Sequence, residues 1–250
     1  VDTVPITVTF DFHDTLAQCD RWFQLEIRQL VPAFLDWHAA RHGHPLPDEE
    51  TKSEGRALYA GLRAEIKESG IEQDAVACLR SVLPGLGIAA TDADLHDGVD
   101  ELMRATFDND VTPRDGAIEA VRYLADAGVT LGVVSSAVYT PFLDWTLTRF
   151  GIRELFSDVL TSAEAGFYKS DPSIYRLSAE RLGTTPGQVL HVGDSHDFDV
   201  VSPRQLGVTT AWVRGTRMPP MEILADLILD DLVDAGPALL ELACEAAARG

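Results

Sequence analysis

From Ile6 the run ITVTFDF is dense in β-branched and aromatic residues and stops at the polar HDTL, which predicts a buried strand delivering Asp11 at its carboxyl end. Helical spacing then takes over. Phe23, Ile27, Leu30 and Phe34 recur four, three and four residues apart, with Asp20 placed to cap that helix and Gly43 placed to end it. Pro32 predicts a kink within it. Three more helical patterns follow, around Leu58, Leu62 and Ile66, around Ala75 to Leu83, and around Leu95, Val99 and Leu102, with no strand pattern among them. The expectation is an all-helical insertion of four helices with its ends near Ala17 and Val111.

Beyond Val111 the periodicity alternates. VTPRDGAIEAVRYLADAG reads as a loop and a helix that stops at Gly128, VTLGVVSS as a strand, TPFLDWTLTRFG as a helix and SDVLT as a strand. SDPSIYRLSAERLG then reads as a helix and QVLHVGDS as a strand. VTTAWV, a loop at Pro219 and Pro220, DLILDDL and a last helix PALLELACEAAA complete the chain. Strands separated by helices of this length predict an α/β fold, a mainly parallel, doubly wound, Rossmann-like sheet, with ligands bound outside the carboxyl ends of the strands. Residues 1–16 and 112–250 are expected to form that core, and residues 17–111 a helical cap.

The polar clusters fall at such strand ends: Asp11 with Thr15, Ser135 with Ser136, Lys169 nearby, and Asp194 with Asp199. Taken singly, Asp11 is an ordinary turn cap, Ser135 a strand-end serine and Lys169 a solvated surface lysine. Together they supply a nucleophile, carboxylates to share a cation, a hydroxyl and a fixed ammonium, which are the parts phosphoryl transfer needs.

Composition narrows the partners. A formal charge of −20 argues against nucleic acid, whose affinity depends on cations that neutralise phosphates. Three widely spaced cysteines, Cys19, Cys78 and Cys244, suggest neither a disulfide framework nor a metal knuckle, and so a reducing compartment. The first residues lack the pattern of a secretory leader, and no stretch of about 18 apolar residues occurs, so membrane insertion is not expected and a cytoplasmic location is. The apolar faces of the insertion suit a monomer and a homodimer alike.

In order and type these motifs resemble those of the haloacid dehalogenase superfamily. Its DxDxT pattern is similar to Asp11-Phe12-His13-Asp14-Thr15, its second-motif hydroxyl to Ser135, its lysine to Lys169 before the Asp171-Pro172 pair, and its GDxxxxD to Gly193-Asp194 through Asp199. The helical insertion is similar to the family's cap, so the resemblance covers essentially the whole chain. It implies a Mg2+-dependent phosphohydrolase acting on a small phosphorylated molecule, in which Asp11 is phosphorylated and then released by water. It further implies Mg2+ held by the Asp11 carboxylate, the His13 carbonyl and the Asp194 carboxylate, with Asp199 supporting the metal or positioning Lys169. Ser135, the Ser136 amide and Lys169 would hold phosphoryl oxygens.

One position departs from the family's phosphatases, which carry an Asp acid two residues after the nucleophile; this chain carries His13. Histidine is a competent acid and base near neutrality, so His13 is the candidate proton carrier. Two alternatives stay open: a metal-independent dehalogenase, whose family members have an aromatic residue there but lack the Asp194 carboxylate, and a weakly active phosphate-binding protein. His191, in an apolar run, reads as a hydrogen-bonded core residue. His42 and His44 flank Gly43 with no carboxylate or cysteine at a suitable ligand spacing nearby and are left unassigned. Asp20, Arg21, Arg56 and Tyr59 read as a solvated cap face, and Trp22 and Trp37 as cap packing.

Overall fold

Strand β1 (Thr7–Phe10) is buried at all four positions, which is why it reads as a run and not as an alternation. It pairs in parallel with β4 (Thr130–Ser135) on one side and β6 (Val189–Gly193) on the other. The computed structural model describes residues 5–218 and 220–249; the first four positions of the expected core, Pro219 and Gly250 lie outside them. With β5 (Phe156–Thr161), β7 (Thr209–Val213) and β8 (Leu227–Leu229) the sheet order is β5-β4-β1-β6-β7-β8, parallel throughout. The chain thus winds outward from β1 in both directions, and the crevice at that switch point lies beyond Phe10 and Gly193.

Between β2 (Ala17–Gln18) and β3 (Thr112–Pro113) the chain is helical: α1 (Asp20–Gln24), α2 (Leu30–His42), α3 (Glu49–Ser69), α4 (Ala75–Val82) and α5 (Asp92–Asp110). The remaining helices are α6 (Ala117–Asp126), α7 (Pro141–Arg149), α8 (Ser162–Ala165), α9 (Ser173–Arg181), α10 (Ser202–Arg204) and α11 (Gly236–Ala247). Strands β2 and β3 form an antiparallel ribbon at the roots of the helical insertion. Two residues per strand are too few to carry a period, so the sequence pattern showed only where the helices begin and end.

Three local expectations are corrected. Asp20 is the first residue of α1 and makes no cap bond to the helix amides; Cys19 precedes it at the cap position. The kink assigned to Pro32 is a π-helical turn at Leu25–Gln29 that joins α1 to α2, the kind of wider turn that accommodates a helix irregularity. On α3, Leu58 is 40% exposed while Tyr59 is fully buried, so the packed stripe is Gly55, Tyr59 and Ile66. Leu62 packs against the core on the same face, so of the aliphatic pattern only Leu58 is displaced, its place taken by the Tyr59 ring.

Helices α3, α4 and α5 start on explicit caps. Asp48 accepts from the Thr51 amide at 2.8 Å, Asp74 from the Ala77 amide at 2.7 Å, and Thr91 forms a reciprocal capping box with Asp94. Each such cap is worth about 1 kcal/mol. Helices α2 and α5 approach closely at Gly98, where an added Cβ would stand 2.7 Å from the Phe34 ring. One hydrophobic cluster runs from the sheet (Val8, Phe10, Val133, Val192) through Phe12, Trp22 and Phe142 to Phe34, Tyr59 and Leu79 among the inserted helices.

Polar stitches join the same two regions. The α3–α4 loop pairs with the segment leading to Lys169, through Tyr168 N–H to the Gly70 carbonyl (2.8 Å) and Glu72 N–H to the Gly166 carbonyl (3.0 Å). Ala75 N–H donates to the Val138 carbonyl at 2.9 Å, and Val138 N–H donates to the buried Glu26 carboxylate at 3.0 Å. Among the described residues no helix is long and apolar enough to cross a membrane, and all three cysteines are free.

Candidate active site

Beyond β1 the backbone turns sharply. Asp14 adopts φ 61°, a left-handed conformation that Asp tolerates better than most residues, and its N–H donates to the Ala17 carbonyl. The turn brings the Thr15 hydroxyl to 3.2 Å from Asp11 Oδ2. The other Asp11 oxygen accepts from Lys169 Nζ at 2.5 Å. Lys169 also donates to Asp199 Oδ1 at 2.7 Å, so one buried ammonium is shared by two carboxylates.

Asp199 is fixed on all sides. Its Oδ2 accepts from the Ser195 amide at 2.8 Å and its Oδ1 lies 3.2 Å from His191 Nε2. Since a carboxylate only accepts, Nε2 carries the proton and Nδ1 takes the Thr9 hydroxyl, 2.9 Å away. His191 is therefore the hydrogen-bonded core residue expected of it. Gly193 is required for this approach, because a Cβ there would stand 2.3 Å from the Asp199 carboxyl carbon.

The charges are set by position. Burial alone would discharge Lys169, but the Asp11 and Asp199 carboxylates outweigh it and hold the ammonium above the ordinary lysine range. Burial likewise pushes Asp199 up, and Lys169 together with His191 brings it below the usual carboxylate range. Asp194 goes the other way: burial, then the neighbouring Asp11 and Asp199, raise it well above the usual range. One oxygen each of Asp11, Asp194 and Asp199 falls within 4.8 Å of the others. Asp194 Oδ2 pairs with Arg217 at 2.5 Å, and Arg217 also holds Asp14 at 2.9 Å. A cluster of buried carboxylates, one of them destabilised in its charged form, is a donor set suited to a hard, oxygen-preferring cation such as Mg2+.

These groups open into one cavity of about 480 Å³, lined by Asp11, His13, Ser135, Ser136, Lys169 and Asp194 from the strand ends. Trp22, Phe23, Glu26, Ile27 and Arg63 close it from the inserted helices. Ser135 is buried, and the Ser136 hydroxyl accepts from the Lys169 amide at 3.3 Å. All the expected site residues are thus brought to this region except Thr15, which is buried behind Asp11 as its hydrogen-bond donor and does not line the cavity.

His13 points away from the sheet toward α1. Its ring stacks on Phe23 at 4.1 Å and 8° between planes, and Asp20 Oδ1 lies 3.4 Å from Nε2 without hydrogen-bond geometry. The ring therefore borders the cavity with its Nε2 buried and turned toward Asp20. Tyr59, expected on a solvated face, is buried with its hydroxyl bonded to the Glu26 carbonyl. Trp37 packs as expected, its indole N–H on Glu101 at 2.7 Å, whereas Trp22 both packs and lines the cavity.

The sequence pattern did not single out Glu26 or Arg63. Glu26 stands four residues after Trp22 and four before Leu30, so a carboxylate on a buried helical face was a visible signal. Arg63 forms a bidentate pair with Glu72 at 2.6 and 3.3 Å; its partner lies beyond the end of α3, and no helical spacing predicts that contact. The unassigned His42 does have a carboxylate beside it, Asp94, supplied by α5 from 52 positions further along the chain.

An all-parallel, doubly wound α/β sheet carries acidic strand ends and a buried lysine at its switch point, with a helical insertion over the cavity. The chain belongs to the haloacid dehalogenase-like hydrolase family, whose model matches residues 7–207. It is 32% identical over 123 residues to a glyceraldehyde 3-phosphate phosphatase of Methanopyrus kandleri, covering 49% of this chain and 51% of that protein. It is 36% identical over 119 residues to a phosphoserine phosphatase of Thermus thermophilus, covering 46% and 47%. The chain thus spans about half the length of the curated relatives it matches. Among solved structures, a HAD phosphatase from Thermococcus onnurineus superposes with TM-score 0.66 at 21% identity, covering 93% and 97% of the two chains. A 2-haloacid dehalogenase from Pseudomonas syringae superposes with TM-score 0.68 at 20% identity, covering 94% and 97%. These likenesses establish the shared fold.

Proposed function

We propose that this protein is a Mg2+-dependent phosphohydrolase for a small phosphorylated metabolite, with Asp11 as the nucleophile and an aspartyl-phosphate intermediate. The observation that carries the reading is the Asp194 carboxylate set beside Asp11 and Asp199, which adds a third acidic group where a dehalogenase needs none. The phosphatases among its sequence relatives agree with it.

Asp11 Oδ2 is oriented by Thr15 and Oδ1 by Lys169, so one carboxylate is aimed before substrate arrives. Ser135, the Ser136 amide and Lys169 would receive phosphoryl oxygens, and the lysine would offset repulsion between two anions. Asp11, the His13 carbonyl and Asp194 would hold Mg2+, with Asp199 behind them as the anchor of Lys169. Bound there, the ion supplies neutralisation of charge on the transferring group. His13 borders the cavity with Nε2 buried beside Asp20, and by turning that nitrogen to the substrate it would give a proton to the leaving oxygen and take one from the incoming water.

Residues 17–111 would act as the cap and residues 1–16 with 112–250 as the core, the cap opening for substrate and closing to exclude water. The Ala17–Gln18 and Thr112–Pro113 ribbon supports that division, since both crossings between the parts lie side by side.

The test is hydrolysis of an activated aryl phosphate with and without Mg2+, in wild type, Asp11→Asn, His13→Ala and His13→Asp. Mg2+-dependent turnover is expected, reduced on the order of a thousandfold or more in Asp11→Asn. His13→Ala is expected to lose about a hundredfold or more, and His13→Asp to restore turnover. Turnover in Asp11→Asn like that of wild type would refute the mechanism. Chelator-resistant halide release from a 2-haloacid would replace phosphate chemistry with dehalogenation.

A further inference from the structure

We propose that helices α2 and α5 carry a second metal site, for a borderline transition ion such as Zn2+, built from His38, His42 and Asp94. The two histidines are four residues apart on α2, hence on one face, and their ring centroids are 4.6 Å apart. Asp94 meets them from the first turn of α5: Oδ1 lies 2.9 Å from His42 Nε2 and Oδ2 lies 4.0 Å from His38 Nε2. A ligand atom of each stands within 4.8 Å of the other two. Tetrahedral ligands about 2.0 to 2.1 Å from an ion stand roughly 3.3 to 3.5 Å apart, so side-chain adjustments on the order of an ångström make the site.

The ligands are also aimed from behind. Asp94 Oδ2 accepts from the Thr91 amide at 3.0 Å and the Thr91 hydroxyl at 2.6 Å, the outer support that orients a ligating carboxylate. The His38 ring lies against Phe34, 5.7 Å between centroids. Helix capping accounts for the bonds between Asp94 and Thr91. It does not account for two imidazoles converging on the same carboxylate. None of the three residues lines the cavity at Asp11, so the site is separate from the catalytic one. An ion there would tie the first long helix of the insertion to its last and act on stability, with water completing the coordination.

Imidazole donors favour Zn2+ and Co2+ over Mg2+, so the site is readable while Mg2+ saturates the carboxylate cluster at Asp11. Metal-free protein in millimolar Mg2+ is titrated with Co2+, then Zn2+, and followed by visible absorption, calorimetry and melting temperature. The expected result is one equivalent of Co2+ with a tetrahedral visible band, displaced by Zn2+, and a Zn2+-dependent rise in melting temperature. In the double variant His38→Ala, His42→Ala, the bound stoichiometry should fall by one equivalent and the Zn2+ stabilisation should vanish, with an unchanged far-ultraviolet circular dichroism spectrum. Absence of Co2+ and Zn2+ binding under these conditions, or the same stoichiometry and stabilisation in the double variant, overturns the proposal.

Discussion

Lys169 sits at the centre of the residue-scale argument because it is buried with Asp11 on one side and Asp199 on the other. A lysine in that setting is favourable only through its partners, and the partners are tolerable only through the lysine. Replacing it by methionine keeps the length and removes the charge, leaving two buried carboxylates facing each other. Breaking a buried ion pair from one side costs about 3 to 5 kcal/mol. The Lys169→Met variant should therefore unfold at lower denaturant by that amount, as well as losing turnover, and chemical denaturation of the two proteins measures it. A loss below about 1 kcal/mol would mean that the carboxylates are relieved by solvent or by protonation instead.

At the scale of the element, the α1–α2 segment carries a carboxylate where its apolar face packs. Burial raises the Glu26 pKa well above the ordinary value, with Arg63 and the Val138 amide opposing but not cancelling the effect. Between the unfolded pKa, about 4.3, and the raised folded value, the folded chain binds the extra proton. Stability due to this residue is therefore full below that interval and declines as pH rises through it. Glu26→Gln keeps an acceptor for the Val138 N–H and removes the titration. Melting temperatures of variant and wild type should coincide at acid pH and diverge upward of it, the variant becoming the more stable. A difference that stays constant across the range would show that Glu26 does not titrate with folding.

Across the whole molecule a buried acid beyond the end of α3 helps join the helical insertion to the sheet. Glu72 accepts from Arg63 on α3, from the Ser162 hydroxyl at 2.7 Å on the first turn after β5, and from the Gln73 amide at 2.9 Å. Its side chain is fully buried and that of Arg63 is nearly so. Glu72→Ala strands the guanidinium, again a loss of about 3 to 5 kcal/mol. For a chain of this size that lowers the melting temperature by roughly 6 to 20 °C. Differential scanning calorimetry reads the change. A shift confined to a degree or two would assign the attachment of the helices to the apolar cluster alone.

Periodicity in the sequence was sufficient for the alternating strands and helices after Val111, for the helical stretch between Ala17 and Val111, and for the placement of Asp11, Ser135 and Asp194 at strand ends, because burial on one or both faces imposes a local repeat. The motif spacing carried the family resemblance in part for the same reason: the motifs of Asp11, Ser135 and Asp194 are short segments each held by its own strand. Periodicity could not supply the β2–β3 ribbon, which is too short to repeat, or the π-turn, which interrupts a repeat without changing its composition. It also could not bring Asp94 to His38 and His42, Glu72 to Ser162, or His13 onto Phe23. Those contacts join residues whose separation along the chain bears no relation to their distance in space, and only the packing of one helix against another, and of the helices against the sheet, decides them.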